Sequence, residues 1–341
     1  MLETDDREPG VTGDRPDAGA LRVAAIDLGT NSVRLIVAGV DGPDSYTVLH
    51  EEREQTRLGH RLHETGRIDP ETGEKTLAAL ERMKAVAESF GVAELRAVGT
   101  AALRAASNGP EFVESARERF GLALEVIDAE EEAELALRSV RRNFPLGGDG
   151  AAVVDIGGGS MEVVLTTAGG VDEVHSLPLG AVVLTERYVG SDPIDDADWR
   201  RLGAAIDREL ARQIGKPPFP TPVLVGSGGT FTAVGSLAMQ DREGETGPVQ
   251  GYSMTRDEFE RQLRRLREMP LETRRQLPGL DPERADIIVA GAAAVVRLVR
   301  RLDVSRILIN DRGIRDGLLL EMISRLGAGR GPIDRSARHR D

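Results

Sequence analysis

The sequence of 341 residues contains no cysteine, three lysines, five histidines and 3% aromatic residues. The absence of cysteine excludes a disulfide framework, a thiolate nucleophile and a cysteine-ligated zinc site, and it fits a reducing cytoplasm. The histidines show no H-x-x-x-H spacing, so a histidine-based metal site is not predicted. With so few aromatic residues the cores must be aliphatic, and 40% hydrophobic content is enough for two domains in a chain of this length.

The sequence also lacks a long hydrophobic run and an excess of positive charge. No segment approaches the ~18 consecutive apolar residues of a membrane-spanning helix. The first 20 residues are acidic, without the apolar core of a secretion signal. We therefore expect a cytoplasmic protein, with disordered tails at residues 1–20 and 327–341. The net charge of −13 opposes binding to nucleic acid, no membrane partner is expected, and a polyanionic ligand would need a local basic surface.

What the sequence does contain is a motif that occurs twice, in which an aspartate, glycine and serine lie between two apolar stretches. The copies are D-L-G-T-N-S at residues 27–32 and D-I-G-G-G-S at residues 155–160. A strand, turn and strand unit present twice indicates a duplicated fold. The glycine lets backbone N–H groups approach an anion, the serine adds a donor, and the aspartate can hold a cation. The pattern predicts a polyanion with a divalent metal, whereas either copy alone could be an ordinary hairpin turn.

Hydrophobic periodicity predicts three strands, a helix, a strand and a helix, in that order and twice over. The predicted strands are residues 22–27, 33–40, 46–52, 95–99, 124–128, 151–155, 161–166, 171–177, 223–225 and 306–309. The main predicted helices are residues 70–90, 110–120, 130–142, 282–301 and 314–326. A Gly/Pro break near residue 145 divides the pattern into domain I at 21–145 and domain II at 146–326, and the C-terminal helix could pack back on domain I.

With these segments in place, the sequence resembles the exopolyphosphatase and guanosine pentaphosphate phosphohydrolase (Ppx/GppA) family over roughly residues 22–325. Besides the two motifs, further segments match the family in order: residues 99–108, 130–133, 179–181, 226–230, 283–286 and 313–317. The resemblance implies an α/β fold of duplicated actin-like (ribonuclease H-like) domains, with mixed sheets flanked by helices and a central cleft. It also implies hydrolysis of phosphoanhydride bonds.

Phosphoryl transfer passes through a loose transition state, so catalysis needs positioning, cation neutralisation and a carboxylate that orients water. By resemblance this carboxylate is Glu132, although acidic residues at a helix start also stabilise the helix dipole without any other role. Asp155 is the predicted ligand of Mg²⁺ or Mn²⁺, joined by Glu162 from the next strand, and Asp27 is a weaker third candidate.

The predicted phosphate-binding residues come from three glycine segments and two arginines. The arginines are Arg57 and Arg104, whose guanidinium forks suit phosphate oxygens but which could instead pair with surface carboxylates. The third segment, before a helix, could be an anion site or a plain turn. The segment residues are Gly29, Thr30, Asn31, Ser32, Gly157, Gly158, Gly159, Ser160, Gly228, Gly229 and Thr230.

Three functions follow as alternatives. The first is an exopolyphosphatase acting on inorganic polyphosphate, and the second is a guanosine pentaphosphate (pppGpp) phosphohydrolase. The third is a noncatalytic regulator that binds polyphosphate or the alarmones pppGpp and ppGpp, against which the presence of Glu132, Asp155 and Glu162 argues. The chain looks like the short two-domain form of the family, so we expect relatively better turnover of short chains, and we expect a homodimer.

Overall fold

The computed structural model of the protein describes residues 21–146, 150–167, 170–215 and 217–328. The predicted tail at residues 1–20 lies outside these ranges, and so does the tail at 327–341 apart from its first two residues. The described chain forms two mixed β-sheets flanked by helices, which is the predicted fold class. The proposed division into domains at residue 145 stays a prediction.

The first sheet combines a three-stranded meander with two parallel strands. Its spatial order is β3-β2-β1-β4-β5; β1 pairs antiparallel with β2 and parallel with β4. The strands are β1 (Arg22–Leu28), β2 (Val33–Gly42), β3 (Ser45–Glu54), β4 (Glu94–Gly99) and β5 (Leu124–Val126).

The second sheet repeats this topology and adds one edge strand. Its order is β10-β11-β9-β6-β7-β8, so β8-β7-β6-β9-β11 reproduces the order and the strand directions of the first sheet. The sequence predicted every strand except β10. The strands are β6 (Ala151–Ile156), β7 (Met161–Thr167), β8 (Gly170–Leu177), β9 (Val223–Ser227), β10 (Ser253–Thr255) and β11 (Arg306–Asn310).

The helices largely follow the sequence pattern, with one correction. The predicted helix at 282–301 is wrong at its start, because the chain makes a 3₁₀ turn (Pro282–Arg284) and the α-helix begins only at Ile288. The Ala285 carbonyl between them accepts a hydrogen bond from the buried Arg274 side chain. The helices are α1 (Leu62–Thr65), α2 (Pro70–Ser89), α3 (Ala101–Ala105), α4 (Gly109–Phe120), α5 (Ala129–Asn143), α6 (Ala181–Tyr188), α7 (Asp196–Gln213), α8 (Gly229–Glu243), α9 (Arg256–Glu268), α10 (Leu271–Arg274), α11 (Ile288–Arg301) and α12 (Gly313–Ala328).

Helices α5 and α12 join the two sheets. Leu318, Leu319 and Met322 of α12 pack with Val23 and Ala25 of β1, against the face of the first sheet opposite α2 and α4. Helix α5 contributes to two clusters: its Leu135 packs with α12, while other apolar residues of α5 pack on the second sheet. The helix that carries Glu132 is thereby held between the second sheet and the α12 helix that covers the first sheet. In the described ranges, no helix has both the length and the hydrophobicity needed to cross a membrane.

Candidate active site

All three glycine segments predicted from the sequence line one cleft between the two sheets. The first two are the hairpin turns of β1–β2 and β6–β7, and they fold alike. The Gly29 N–H donates to the Ser32 carbonyl at 3.0 Å, and the Gly157 N–H donates to the Ser160 carbonyl at 3.1 Å. We call these turns, residues 29–32 and 157–160, the first and second glycine loops. The duplicated motif is therefore a duplicated backbone geometry.

The two glycine loops lie against each other. A methyl group at Gly159 would lie 2.5 Å from the Oγ1 atom of Thr30, so only glycine allows this approach. The third segment follows β9, where Gly228 has a φ of 96° and precedes the first residue of α8. No side chain caps this helix, which leaves its first backbone N–H groups available to an anion.

Glu132 lies in the first turn of α5, where a local sequence signal fixes the helix start. The Asp128 side chain accepts a hydrogen bond from the Glu131 N–H at 2.9 Å, and acidic residues in the first turn favour the helix dipole. Glu132 itself is 5% exposed and lines the cleft, unlike its exposed neighbour Glu134. A helix-dipole role alone does not require burial, so its position favours a role in the site.

Arg104 pairs with Glu132 inside the protein. Its Nη1 atom lies 2.8 Å from Glu132 Oε2 and also donates to the Ile127 carbonyl at 2.8 Å. The contact with Glu132 is a close ion pair that brings a positive charge to the buried Oε2 atom. Arg104 does not line the cleft directly. It can therefore hold the carboxylate in place, whereas direct contact with a phosphate would require it to move.

Asp155 and Glu162 face each other across the β6–β7 pair, in a row of polar residues that crosses the second sheet. Ser227 is the register partner of Asp155 on β9, and Ser176 that of Glu162 on β8. The Ser176 hydroxyl donates to Glu162 Oε1 at 3.0 Å. Asp155 lines the cleft, but Glu162 does not and is 2% exposed. Glu162 therefore lies beside Asp155 on the neighbouring strand and is shielded from the cleft.

Burial raises the pKa of all three carboxylates, and the charge of Glu162 adds to the rise at Asp155 and Glu132. Burial, followed by the charges of Glu162 and Asp27, raises the pKa of Asp155 to about 7. Burial and the Glu162 charge raise the pKa of Glu132 well above its ordinary value, against the opposing effect of Arg104. Burial likewise raises the pKa of Glu162. A site that strains three acids in this way favours a proton or a cation bound among them.

The carboxylate oxygens of the cleft are suited to a hard cation that takes few ligands from the protein. Asp155 is a desolvated carboxylate on the cleft wall, and a side chain at Gly313 would come within 3.4 Å of its Oδ2 atom. Among the described residues no group of three His, Cys, Asp or Glu side chains could hold a metal by itself. Mg²⁺ is commonly bound by one or two carboxylates together with phosphate oxygens and water. Asp155 fits this pattern, and Asp27, whose charge raises the pKa of Asp155, also lines the cleft.

Arg57 is placed differently from its predicted role. It pairs with Asp286 at 2.7 Å and does not line the cleft. Four arginines that the sequence analysis did not select line it instead, namely Arg34, Arg284, Arg312 and Arg315. Strand alternation could have found Arg34, because it follows Ser32 by two residues, as Glu162 follows Ser160.

Arg34 and Arg284 carry poorly compensated positive charge into the cleft. Burial and the Arg315 charge lower the pKa of Arg34 to about 10, and no ion pair joins Arg34 to a carboxylate within the part of the chain that the structure describes. Burial and the Arg34 charge lower the pKa of Arg284 to about 9, and its one described ion pair is a 3.8 Å contact with Asp281. Desolvated guanidinium groups of this kind are suited to binding phosphate oxygens.

Glycine loops, buried carboxylates and uncompensated arginines around one cleft define a phosphate-handling site of the kind found in phosphohydrolases, and comparisons with known proteins agree. The family model described as "Ppx/GppA phosphatase family" matches residues 35–326. The chain belongs to this family, and the prediction of a hydrolase of phosphoanhydride bonds is confirmed at that level.

Individual relatives resemble the chain over most of their length. Exopolyphosphatase 2 of Mycobacterium tuberculosis is 33% identical over 322 residues, which are 88% of this chain and 98% of that protein. The crystal structure of the Aquifex aeolicus Ppx/GppA family member has a TM-score of 0.75 at 32% identity and covers 90% of this chain and 98% of its own. An exopolyphosphatase structure from Cytophaga hutchinsonii has a TM-score of 0.84 at 24% identity, covers 89% and 98%, and supports the fold.

Proposed function

We propose that the chain is a metal-dependent exopolyphosphatase, which releases terminal orthophosphate from inorganic polyphosphate. The observation that carries the proposal is the buried Glu132 carboxylate in a cleft lined by three glycine segments and by Arg34 and Arg284. The name of the mycobacterial relative supports polyphosphate as the substrate. The chain's net negative charge makes these local arginines necessary for attracting a polyanion.

In this proposal the terminal phosphate lies between the two glycine loops. Backbone N–H groups and the hydroxyls of Ser32 and Ser160 bind its oxygens, while Arg34 and Arg284 neutralise the phosphates that follow it in the chain. A cation held by Asp155 would supply further neutralisation of the phosphate charge. Because these protein groups are already held in place, most of the entropy lost on binding is lost by the substrate and little by the protein.

Glu132 orients a water molecule and accepts its proton. The water oxygen bonds to the terminal phosphorus, the bridging P–O bond breaks, and the leaving polyphosphate keeps the bridging oxygen and its electron pair. The raised pKa of Glu132 makes it a stronger base than an exposed glutamate, and Arg104 fixes the carboxylate while opposing part of that rise. The products are orthophosphate and a chain shorter by one phosphate.

The test compares phosphate release from long polyphosphate, short polyphosphate and guanosine pentaphosphate in the presence of Mg²⁺. Wild type is measured beside Glu132→Gln and Glu134→Gln; the second variant changes an exposed glutamate on the same helix. We expect release from polyphosphate, a loss of about 10²–10⁴-fold in Glu132→Gln and little change in the control. A preference for guanosine pentaphosphate would assign the chain to alarmone hydrolysis, and tight binding without release would make it a regulator.

A further inference from the structure

We call the part of the molecule built on the first sheet the first half and the part built on the second sheet the second half. One carboxylate of the second half is held by a short segment of the first half, which follows β3. Glu186 lies on α6, and its Oε1 atom is 2.9 Å from the Nδ1 atom of His60, while Oε2 is 3.0 Å from the Nδ1 atom of His63. The backbone N–H of Arg61 also donates to Oε1, at 3.2 Å. Three donors from residues 60–63 of the first half thus converge on a single carboxylate of the second half.

Both partners of this contact are tied directly to the glycine loops. On one side, the N–H groups of Arg57 and Gly59 donate to the carbonyls of Asn31 and Thr30, at 3.0 and 2.9 Å. Contact at this point is tight, since a methyl group at Gly59 would lie 2.2 Å from Cγ2 of Thr30. The segment of residues 57–63, which we call the strap, is therefore bound to the first glycine loop.

On the other side, α6 begins directly on the second glycine loop. The N–H groups of Ala181 and Val182 donate to the carbonyls of Gly157 and Gly158, each at 3.0 Å. Glu186 follows one and a half turns later on the same helix. A continuous path of hydrogen bonds thus runs from the first loop through the strap and Glu186 to the second loop.

The strap is held in an unfavourable backbone conformation. Arg57 and Arg61 have φ values of 54° and 52°, in the left-handed region that side chains other than glycine rarely adopt. Such residues persist where surrounding contacts determine their conformation. His63 and Glu186 are 14% and 18% exposed, so this contact is more shielded from water than an ordinary surface ion pair.

We propose that Glu186 is a positioning residue which, with His60 and His63, clasps the two halves of the cleft and fixes the separation of the two glycine loops. Its effect on turnover rests on the proposed function, because the terminal phosphate there lies between these loops. Its effect on the structure does not depend on that function. The clasp can therefore be tested by distance as well as by activity.

The distance test uses the natural absence of cysteine. Arg117→Cys on α4 and Arg264→Cys on α9 place a spin label on each half, at positions with side chains 65% and 63% exposed. Pulsed electron paramagnetic resonance then gives the distance between labels without substrate. We expect Glu186→Gln to lengthen and broaden this distance relative to the parent, because the amide replaces one acceptor oxygen by a donor that faces another donor.

Glu209→Gln on α7 is the matched control. Its side chain is 17% exposed and accepts hydrogen bonds from Arg212 and Gln213, but both partners belong to its own helix. This variant should leave the distance unchanged. A folded Glu186→Gln protein with the same distance distribution as the control would overturn the clasp.

A second pair of variants covers the case in which Glu186→Gln does not fold. The amide of His63→Asn can replace the Nδ1–H donor, whereas His63→Ala removes it. We expect wild-type distance and activity in the asparagine variant, and in the alanine variant a longer distance and a kcat lower by about 10- to 100-fold, with a smaller change in KM. Equal distances in the two variants would contradict the clasp, whereas absence of phosphate release in the wild type would contradict only the proposed function.

Discussion

Asp155 should lower the free energy of unfolding of the metal-free protein as the pH rises. Replacement of its carboxylate by an amide that cannot ionise should remove this pH dependence. The pKa of Asp155 rises from an ordinary value of 3.8 to about 7 because of burial and the neighbouring carboxylates. A group whose pKa is raised on folding contributes stability that is complete below the unfolded pKa and lost as the pH rises through the folded one. A shift of about 3 pH units corresponds to about 4 kcal/mol lost between pH 4 and pH 8.

Urea unfolding of the wild type and Asp155→Asn, in EDTA and over this pH range, measures the effect. Because the amide cannot ionise, the advantage of the variant over the wild type should grow with pH by up to about 4 kcal/mol. Asp207→Asn, at an exposed ion pair with Arg297, should show no such trend. If the difference between the wild type and Asp155→Asn stays constant within about 1 kcal/mol from pH 5 to pH 8, burial does not strain this carboxylate and the reasoning fails.

Three further predictions test the cleft arginine, the proposed cation and a buried hydrogen bond outside the cleft. Arg34→Met should raise the free energy of unfolding by about 1–3 kcal/mol, since it removes a desolvated and unpaired charge, and should weaken polyphosphate binding at least about 10-fold; lower stability with unchanged affinity would contradict this. Mg²⁺ at about 100 times its Kd should stabilise the wild type by about 2.7 kcal/mol in thermal unfolding, and an equal gain in Asp155→Asn would place the ion elsewhere. Tyr46→Phe removes the donor 2.6 Å from the buried Asp316 carboxylate and should lower stability by about 1.5–3 kcal/mol in urea unfolding; an unchanged midpoint would show that this bond contributes nothing.

The parts of the site that sequence reasoning could predict are those encoded within a few residues. The two glycine loops combine a strand end, a turn and a strand start, so their glycine and serine positions are set by local backbone geometry. The helix start that places Glu132 is similar, because the Asp128 cap fixes where α5 begins, whereas the choice of Glu132 among three consecutive glutamates came from the family resemblance. In each case the chemistry and the signal lie in the same short segment.

The remaining features depend on residues that are distant in the sequence. Arg57 carries no local sign that it pairs with Asp286, 229 positions away, rather than with a phosphate. Just before α11 begins at Ile288, the Ala285 carbonyl accepts a hydrogen bond from the Arg274 side chain of α10, and no periodicity reveals which carbonyl that side chain will occupy. The Arg274 contact can override local preference because a buried donor must find an acceptor.

Arg34 shows how the duplication was turned into a site with two different halves. Arg34 lies opposite Asp27 in the register of β1 and β2, and Glu162 lies opposite Asp155 in the register of β6 and β7. The same position in the two copies therefore bears opposite charges. In the first copy the arginine gives the cleft a positive wall, suited to the phosphate chain, whereas the second copy concentrates negative charge, suited to a cation. The proposed hydrolysis of a terminal phosphate would use this asymmetry, because a site with two cationic walls could bind the polyanion but would lack both the carboxylate proposed to hold a cation and the negative charge that raises the pKa of Glu132.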